Sequence, residues 1–480
     1  MYSTGSSARA VNLSERRRVL GARHLVFFVV AAAAPLAFSL GAIPLAIGRG
    51  GIGTVAAFVV TGVILMIFAV GYLAMAGHLR RAGGLNEFVS AGLGRVPGVG
   101  AAFVAVTAYA CAATGAVGVF AVFANVAADD LLGIEVPWPV WAVVGTVLMG
   151  VLGLLQVEAN ARVLGVIICL EIGILLVVAF AIVIEGGAHG LSAEALAPSS
   201  IFVGHPGAMF AVTISAFAGF EATVIYSDEV KDRTRTLRRA TLSVIVVMAL
   251  LYGFVTWALI QAYGNTEAAD IANFDPTTMF LSATETYVGT WAVRTLEILV
   301  VASWFASMVA FHNATARYLS TMGKDRIVPL RLATIHSRFG SPWRASLTHT
   351  VFTLAVVGVF AMLHADPYLD LYILGSSPAV VGIPVLEVLA SVAIIAYFRR
   401  DRRGHSRMEV LVAPAIATIT LTAIVIWIVT QIDLFTARPG ILDIAIPCVI
   451  GAVFVAGMLR ARLMSRTAPT AFTHTLDTTP

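Results

Sequence analysis

Four acidic residues stand inside otherwise apolar stretches: Glu171 in VLGVIICLEIGILLVV, Glu221 in ISAFAGFEATVIYSDE, Glu297 and Glu387. Taking a carboxylate out of water is costly unless it is paired or protonated, so each acid is a candidate for binding or proton chemistry. Backbone chemistry is suggested at two places. Gly41, Pro44 and Gly48 interrupt the apolar run APLAFSLGAIPLAIGRGG, and Gly219 lies two residues before Glu221. An interrupted helix frees N–H groups that can hold a carboxylate and carbonyls that can hold an ammonium or a cation. A zwitterion suits both. Ser303 and Ser307, one turn apart, present hydroxyls on a common face. Tyr109, Thr114 and Trp304 are placed to contact a ligand or a gate, although on a packed helix such groups more often serve packing.

The elements that position these groups must lie in lipid. Hydrophobic residues make up 59% of the 480-residue chain and charged residues only 12%, with mean hydropathy +0.90, whereas soluble domains carry about 25% charged residues. That composition excludes an ordinary soluble enzyme, a disordered chain and a nucleic-acid binder. A bilayer core about 30 Å thick needs about 20 apolar residues per helix. The requirement is met near 23–48, 54–77, 98–127, 137–155, 161–185, 206–228, 238–263, 290–318, 346–364, 367–397, 409–430 and 440–459, which predicts twelve transmembrane helices. The run after Arg16, Arg17, Arg18 and Arg23 reaches Ile47, too long for a signal core, and is read as a retained first span.

With the N-terminus in the cytoplasm, all but Arg49, Arg294 and Arg438 of the 31 lysines and arginines fall on the cytoplasmic side. The positive-inside rule thus predicts a multi-pass protein of the cytoplasmic (plasma) membrane with both termini cytoplasmic. Breaks in the first and sixth spans, five helices apart, point to an inverted-repeat transporter. Cys111, Cys169 and Cys448 are isolated in apolar runs, and the ten histidines show no metal-ligand pairing. No P-loop or G-x-S-x-G elbow is present. Neither an enzyme nor a cofactor or metal is expected.

Four stretches carry a family resemblance: residues 39–48, RAGGLNEFVSAGLGR (81–95), FAGFEATVIYSDEVKDRTRTLRRA (217–240) and FHNATARYLSTMGKDRIVPLRLATIHSRFGSP (311–342). In these the chain resembles the amino acid/polyamine/organocation permeases, although Leu85 stands where an aromatic is common. The resemblance implies an all-α, leucine-transporter-like fold of two inverted five-helix repeats (23–186 and 206–397), two peripheral helices (409–459), and cytoplasmic tails at 1–22 and 460–480. It implies that backbone at Ser39, Leu40, Gly41, Ala42 and Ile43 receives a substrate carboxylate. Carbonyls around Ser215, Phe217, Ala218 and Gly219 would receive the amino group, with Tyr109 a further contact.

For ion coupling, Glu171 stands where some proton-coupled relatives place a lysine that substitutes for sodium, so the lysine mechanism cannot transfer unchanged. Glu221 matches an acid common after the sixth-span Gly-aromatic pair. Sodium-coupled relatives use an adjacent pair of eighth-span hydroxyls; here only Ser303 and Ser307 are offered. The expectation is a secondary active transporter for an amino acid or related amine, coupled to protons or acting as an exchanger. A sodium-coupled symporter of the same fold and a carrier of another organic ion remain the alternatives.

Overall fold

The protein, represented by a computed structural model, is described at residues 30, 33–79, 84–155, 161–221, 233–436 and 440–467. Every regular element among them is helical: α1 Pro35–Gly41, α2 Ile43–Gly50, α3 Gly53–Ala76, α4 Leu85–Leu93, α5 Arg95–Leu132, α6 Trp138–Leu155, α7 Ala161–Glu185, α8 Pro206–Ser215 and α9 Arg233–Tyr263. There follow α10 Ala268–Phe274, α11 Met279–Tyr287, α12 Thr290–Lys324, α13 Trp343–Met362, α14 Gly375–Phe398, α15 Ala413–Thr430, α16 Ile432–Thr436 and α17 Ile441–Thr467. Short 3-10 turns join some of them, and widened π-type turns at Pro367–Leu374 and Met408–Val412 lead into α14 and α15.

Ten helices among the described residues are long and apolar enough to cross a bilayer. They account for ten of the twelve expected spans. The 24 residues of α3 reach about 36 Å at 1.5 Å per residue. The sequence of α3 is apolar all round, as a helix needs when one side meets protein and the other lipid. In the first and sixth expected spans the described chain is broken into shorter pieces, α1 and α2 in one, α8 and the turn after it in the other.

Burial divides the helices. The apolar stretch of α5 is 72% buried and that of α17 only 17%. On α6, Val140, Val143, Val147, Leu148 and Val151 are all exposed. Their i, i+3, i+7, i+8, i+11 pattern makes one apolar stripe, which water would penalise and lipid would not. The broken segments are packed inside: Leu36, Ala37, Leu40, Ile43 and Ala46 are fully buried, as are Ala208 and Met209 on α8.

Candidate substrate cavity between the two broken helices

A cavity of about 90 Å³ lies between the interrupted segments. That is room for several water molecules, and so for a small organic molecule. Its wall takes Ala33, Phe38 and Ala42 from the first span and Ala211, Val212, Ser215 and Ala218 from the sixth. Ala112 and Ala116 come from α5, Trp304, Ser307 and Phe311 from α12, and Tyr372, Ser376 and Ile383 from the Pro367–Phe398 span. Aromatic rings thus flank it, three serine hydroxyls furnish polarity, and no acidic or basic side chain is among the lining residues.

The first break has two parts. Ala34 holds a left-handed φ of 44°, which strains a residue with a Cβ, and Ala42 separates α1 from α2 with φ −125°. Pro35 begins α1, where a proline's missing N–H costs nothing. The next N–H groups are engaged by side chains from elsewhere: the Leu36 N–H donates to the Glu171 carboxyl, and the Ala37 N–H donates to Ser303 Oγ at 3.2 Å. The Ser303 hydroxyl in turn donates to Glu171. Glu171 is 4% exposed, so spans one, five and eight meet at a buried, hydrogen-bonded carboxyl. Tyr252 of α9 lies within its electrostatic reach and donates to the Ala33 carbonyl at 3.2 Å.

The sixth span loses its α-helical pattern after Ser215. The N–H groups of Phe217, Ala218 and Phe220 each reach back only three residues, and Gly219 takes φ 105°, a conformation open to glycine and strained for any other residue. Glu221 closes this turn on itself: the Gly219 N–H donates to Glu221 Oε2 at 2.9 Å. The other carboxyl oxygen accepts from the Tyr109 hydroxyl, and the Glu221 carbonyl accepts from Tyr72 at 2.8 Å.

Of the residues singled out in the sequence, Ala42, Ser215, Ala218, Ser307 and Trp304 line the cavity. The others stand around it. Within Ser39–Ile43 the Ala42 N–H is bonded to the Phe38 carbonyl at 2.9 Å, and the Gly41 carbonyl accepts from Tyr368 at 2.8 Å. Ser39 bonds within its own helix to the Pro35 carbonyl, and Leu40 and Ile43 are core. Gly41 is needed for closeness, because a Cβ there would lie 2.6 Å from Trp304 Cζ2. Phe217 packs edge-on against Tyr252 instead of facing the cavity, and Thr114 faces Thr353. Residues 80–83 and 222–232, which carry parts of two resemblance stretches, lie outside the described residues.

Sequence reasoning missed Phe38, Phe311 and Tyr372. One signal for the last was available: two tyrosines, Tyr368 and Tyr372, follow Pro367 at the mouth of a span. It also missed that His312 Nδ1 and His349 Nδ1 meet at 2.7 Å, with Ser346 Oγ 2.8 Å from His312 Nε2. His312 is 34 residues from Ser346 and 37 from His349, and no local spacing announces the contact.

Ten apolar helices together with two broken segments and a small cavity between them define a multi-pass membrane protein of the transporter type. The sequence profile of the amino acid permeases matches residues 20–454, and the chain belongs to that family, a family of transporters and not of enzymes. It is 28% identical over 132 residues to a protein of Mycobacterium tuberculosis named only as an uncharacterized transporter, covering 28% of this chain and 29% of that one; a Mycobacterium bovis counterpart matches equally. The cationic amino acid transporter 7, chloroplastic, of Arabidopsis thaliana is 24% identical over 192 residues, 40% of this chain and 30% of that protein. Each match spans less than a third of the relative's length.

Proposed function

We propose that this protein is a secondary active transporter that carries a small amino acid or related amine with an uncharged side chain, by alternating access and with proton coupling through Glu171. The single observation that carries the reading is the cavity, walled by both interrupted segments and free of acidic and basic side chains among its lining residues. In the proposed arrangement two inverted five-helix repeats, 23–186 and 206–397, close around the cavity. Residues 409–459 form two peripheral helices, and both termini lie in the cytoplasm. Backbone at the two breaks takes the substrate's charged ends, with Ser215 and Ser307 beside it. Phe38, Trp304, Phe311 and Tyr372 contact its side chain. A guanidinium or ammonium side chain would meet no countercharge there, and desolvating it unpaired is costly.

Glu171 supports coupling because it touches the first break and the eighth span at once and has Tyr252, not a cation, beside it. Sealed from water it keeps its proton; exposed, it gives the proton to water. The test is uptake into proteoliposomes from a panel of labelled amino acids and amines, with and without an inward proton gradient. Small uncharged substrates should be concentrated and arginine and lysine excluded. Glu171→Gln should retain exchange and lose the response to the gradient. Preferential uptake of arginine would overturn the substrate class, and gradient-driven accumulation by the variant would overturn the role of Glu171. Collapse of wild-type uptake when choline replaces sodium would favour the sodium-coupled alternative at Ser303 and Ser307.

A further inference from the structure

Beneath the cavity, toward the end of the bundle where Arg95, Lys324 and Arg399 lie, the structure holds a second carboxyl that the proposed transport cycle has not used. Along α14 the cavity face runs through Ser376, Ala379, Val380 and Ile383. Glu387 is the next position on that face, one turn further, and Ser391 follows a turn later. Glu387 is 2% exposed and Ser391 fully buried. Among the described residues Glu387 Oε2 and Ser391 Oγ have no hydrogen-bond partner. Glu221 lies within electrostatic reach of Glu387, and Tyr72 of α3 lies within reach of both.

The rest of this layer is aromatic. Tyr318 of α12 stacks on Tyr109 of α5 at 5.6 Å, Tyr72 stacks on Phe88 of α4 at 4.5 Å, and Phe220 packs edge-on against Phe68. The titratable groups that act on the layer are Tyr72 from α3, Glu87 from α4, Tyr109 from α5, Tyr318 from α12, Glu387 from α14 and Glu221 from the turn after α8. None is a cation. Two carboxylates sharing such a place without a lysine or arginine would repel each other and lack solvation.

We propose that Glu387 and Glu221 form a proton-binding pair in the floor of the cavity, with Glu387 holding a proton while the floor is sealed and releasing it to water when the floor opens. Glu221 is tied to Gly219 and Tyr109 by hydrogen bonds that an ionised carboxyl accepts well, whereas Glu387 has an oxygen with nothing to satisfy it. A proton on Glu387 removes the repulsion. Water entering the floor solvates the carboxylate, the O–H bond breaks, the electron pair stays on Glu387 and the proton passes to water. Opening of the floor thereby becomes dependent on the pH of the compartment it opens to. The inference rests on the cavity being a transport path, and its test does not.

Difference infrared spectroscopy of the purified full-length protein, without substrate, reads the C=O stretch of protonated carboxyls directly. The wild type at neutral pH should show a component of that band which Glu387→Gln lacks, at unchanged thermal stability. That component should shift in Glu221→Gln. Where Glu387→Gln does not fold, Glu387→Asp keeps an acid in place and should move the component. A band unaltered by substitution at 387 would overturn the proposal. So would a component that disappears on adding sodium, because the pair would then hold a metal cation. An absence of amino acid uptake would remove the transport reading and leave the infrared result standing.

Discussion

The two broken segments solve the same problem in different ways. Each leaves backbone N–H groups without helical partners inside the membrane, and each answers with a buried carboxyl. At the first break that carboxyl is Glu171, from α7, reinforced by Ser303 from α12. At the sixth it is Glu221, from the same turn as the Gly219 N–H it accepts. A carboxyl supplied by another helix parts from the break whenever the helices separate, and its proton affinity changes with that motion. A carboxyl on its own turn travels with it and keeps its shape. The first break is thus a joint held by a carboxyl from another helix, and the sixth a corner closed by its own carboxyl beside a tyrosine layer.

The strongest test of this contrast is steric. Gly41→Leu would drive a side chain into Trp304, whose ring already stands 2.6 Å from where a Cβ would lie, and Gly219→Leu would force a branched residue into φ 105°. Overpacking costs about 1–3 kcal/mol, and strain in a glycine-type conformation costs on the order of 1–3 kcal/mol. Both variants should insert in the membrane and lose saturable uptake; normal uptake in both would show that neither break belongs to the path.

A smaller effect should separate the two carboxyls. Ser303→Ala removes a donor to Glu171 and the acceptor of the Ala37 N–H, and leaving a buried group unpaired costs about 1–3 kcal/mol. Uptake should fall and its pH profile should move. Tyr109→Phe removes one hydrogen bond to Glu221, which still accepts from Gly219. It should lower thermal stability by about 1 kcal/mol with Glu171-dependent coupling retained. Equal pH shifts in the two variants would erase the distinction between a joint and a corner.

The smallest effect concerns the outer cover of the first break. There Asn273, at the end of α10, accepts from Arg49 at 3.0 Å and donates to the Gly48 carbonyl at 2.8 Å. Two residues on, Asp275 accepts from the N–H groups of Thr277 and Thr278 and from the Thr277 hydroxyl. Burial raises its pKa, but these hydrogen bonds outweigh burial and hold it below the ordinary 3.8. Its stabilisation is thus present above that unfolded value and is lost as pH falls through the lower folded one. Asp275→Asn should cost no more than about 1 kcal/mol at neutral pH and leave a melting temperature less sensitive to acid. An unchanged acid dependence would refute this role of Asp275.

Much of this architecture was legible in the chain. The apolar runs from Gly53 to Ala76 and from Arg95 to Leu132 had to become membrane helices, because lipid offers the backbone no other partner. Gly219 beside Glu221 marked the sixth break within a residue or two, since a positive φ and a nearby acceptor both leave local signatures. The first break lies where Gly41 pointed, at Ala42, but it has a second part at the left-handed Ala34 that no glycine announces, and Gly41 itself also serves the close approach of Trp304. A helix breaker in sequence does not say whether it breaks the helix or admits a neighbour.

Composition and periodicity by themselves determined the membrane, the apolar spans and the buried acids, because each follows from the solvation of single residues and their neighbours in the chain. Only the tertiary structure decided that Glu171 meets Leu36 and Ser303, that Glu387 stands beneath the cavity within reach of Glu221, and that Tyr372 faces the space between the breaks. Those contacts join helices distant in sequence, and their partners are chosen by how the helices pack around one another, which no local pattern encodes.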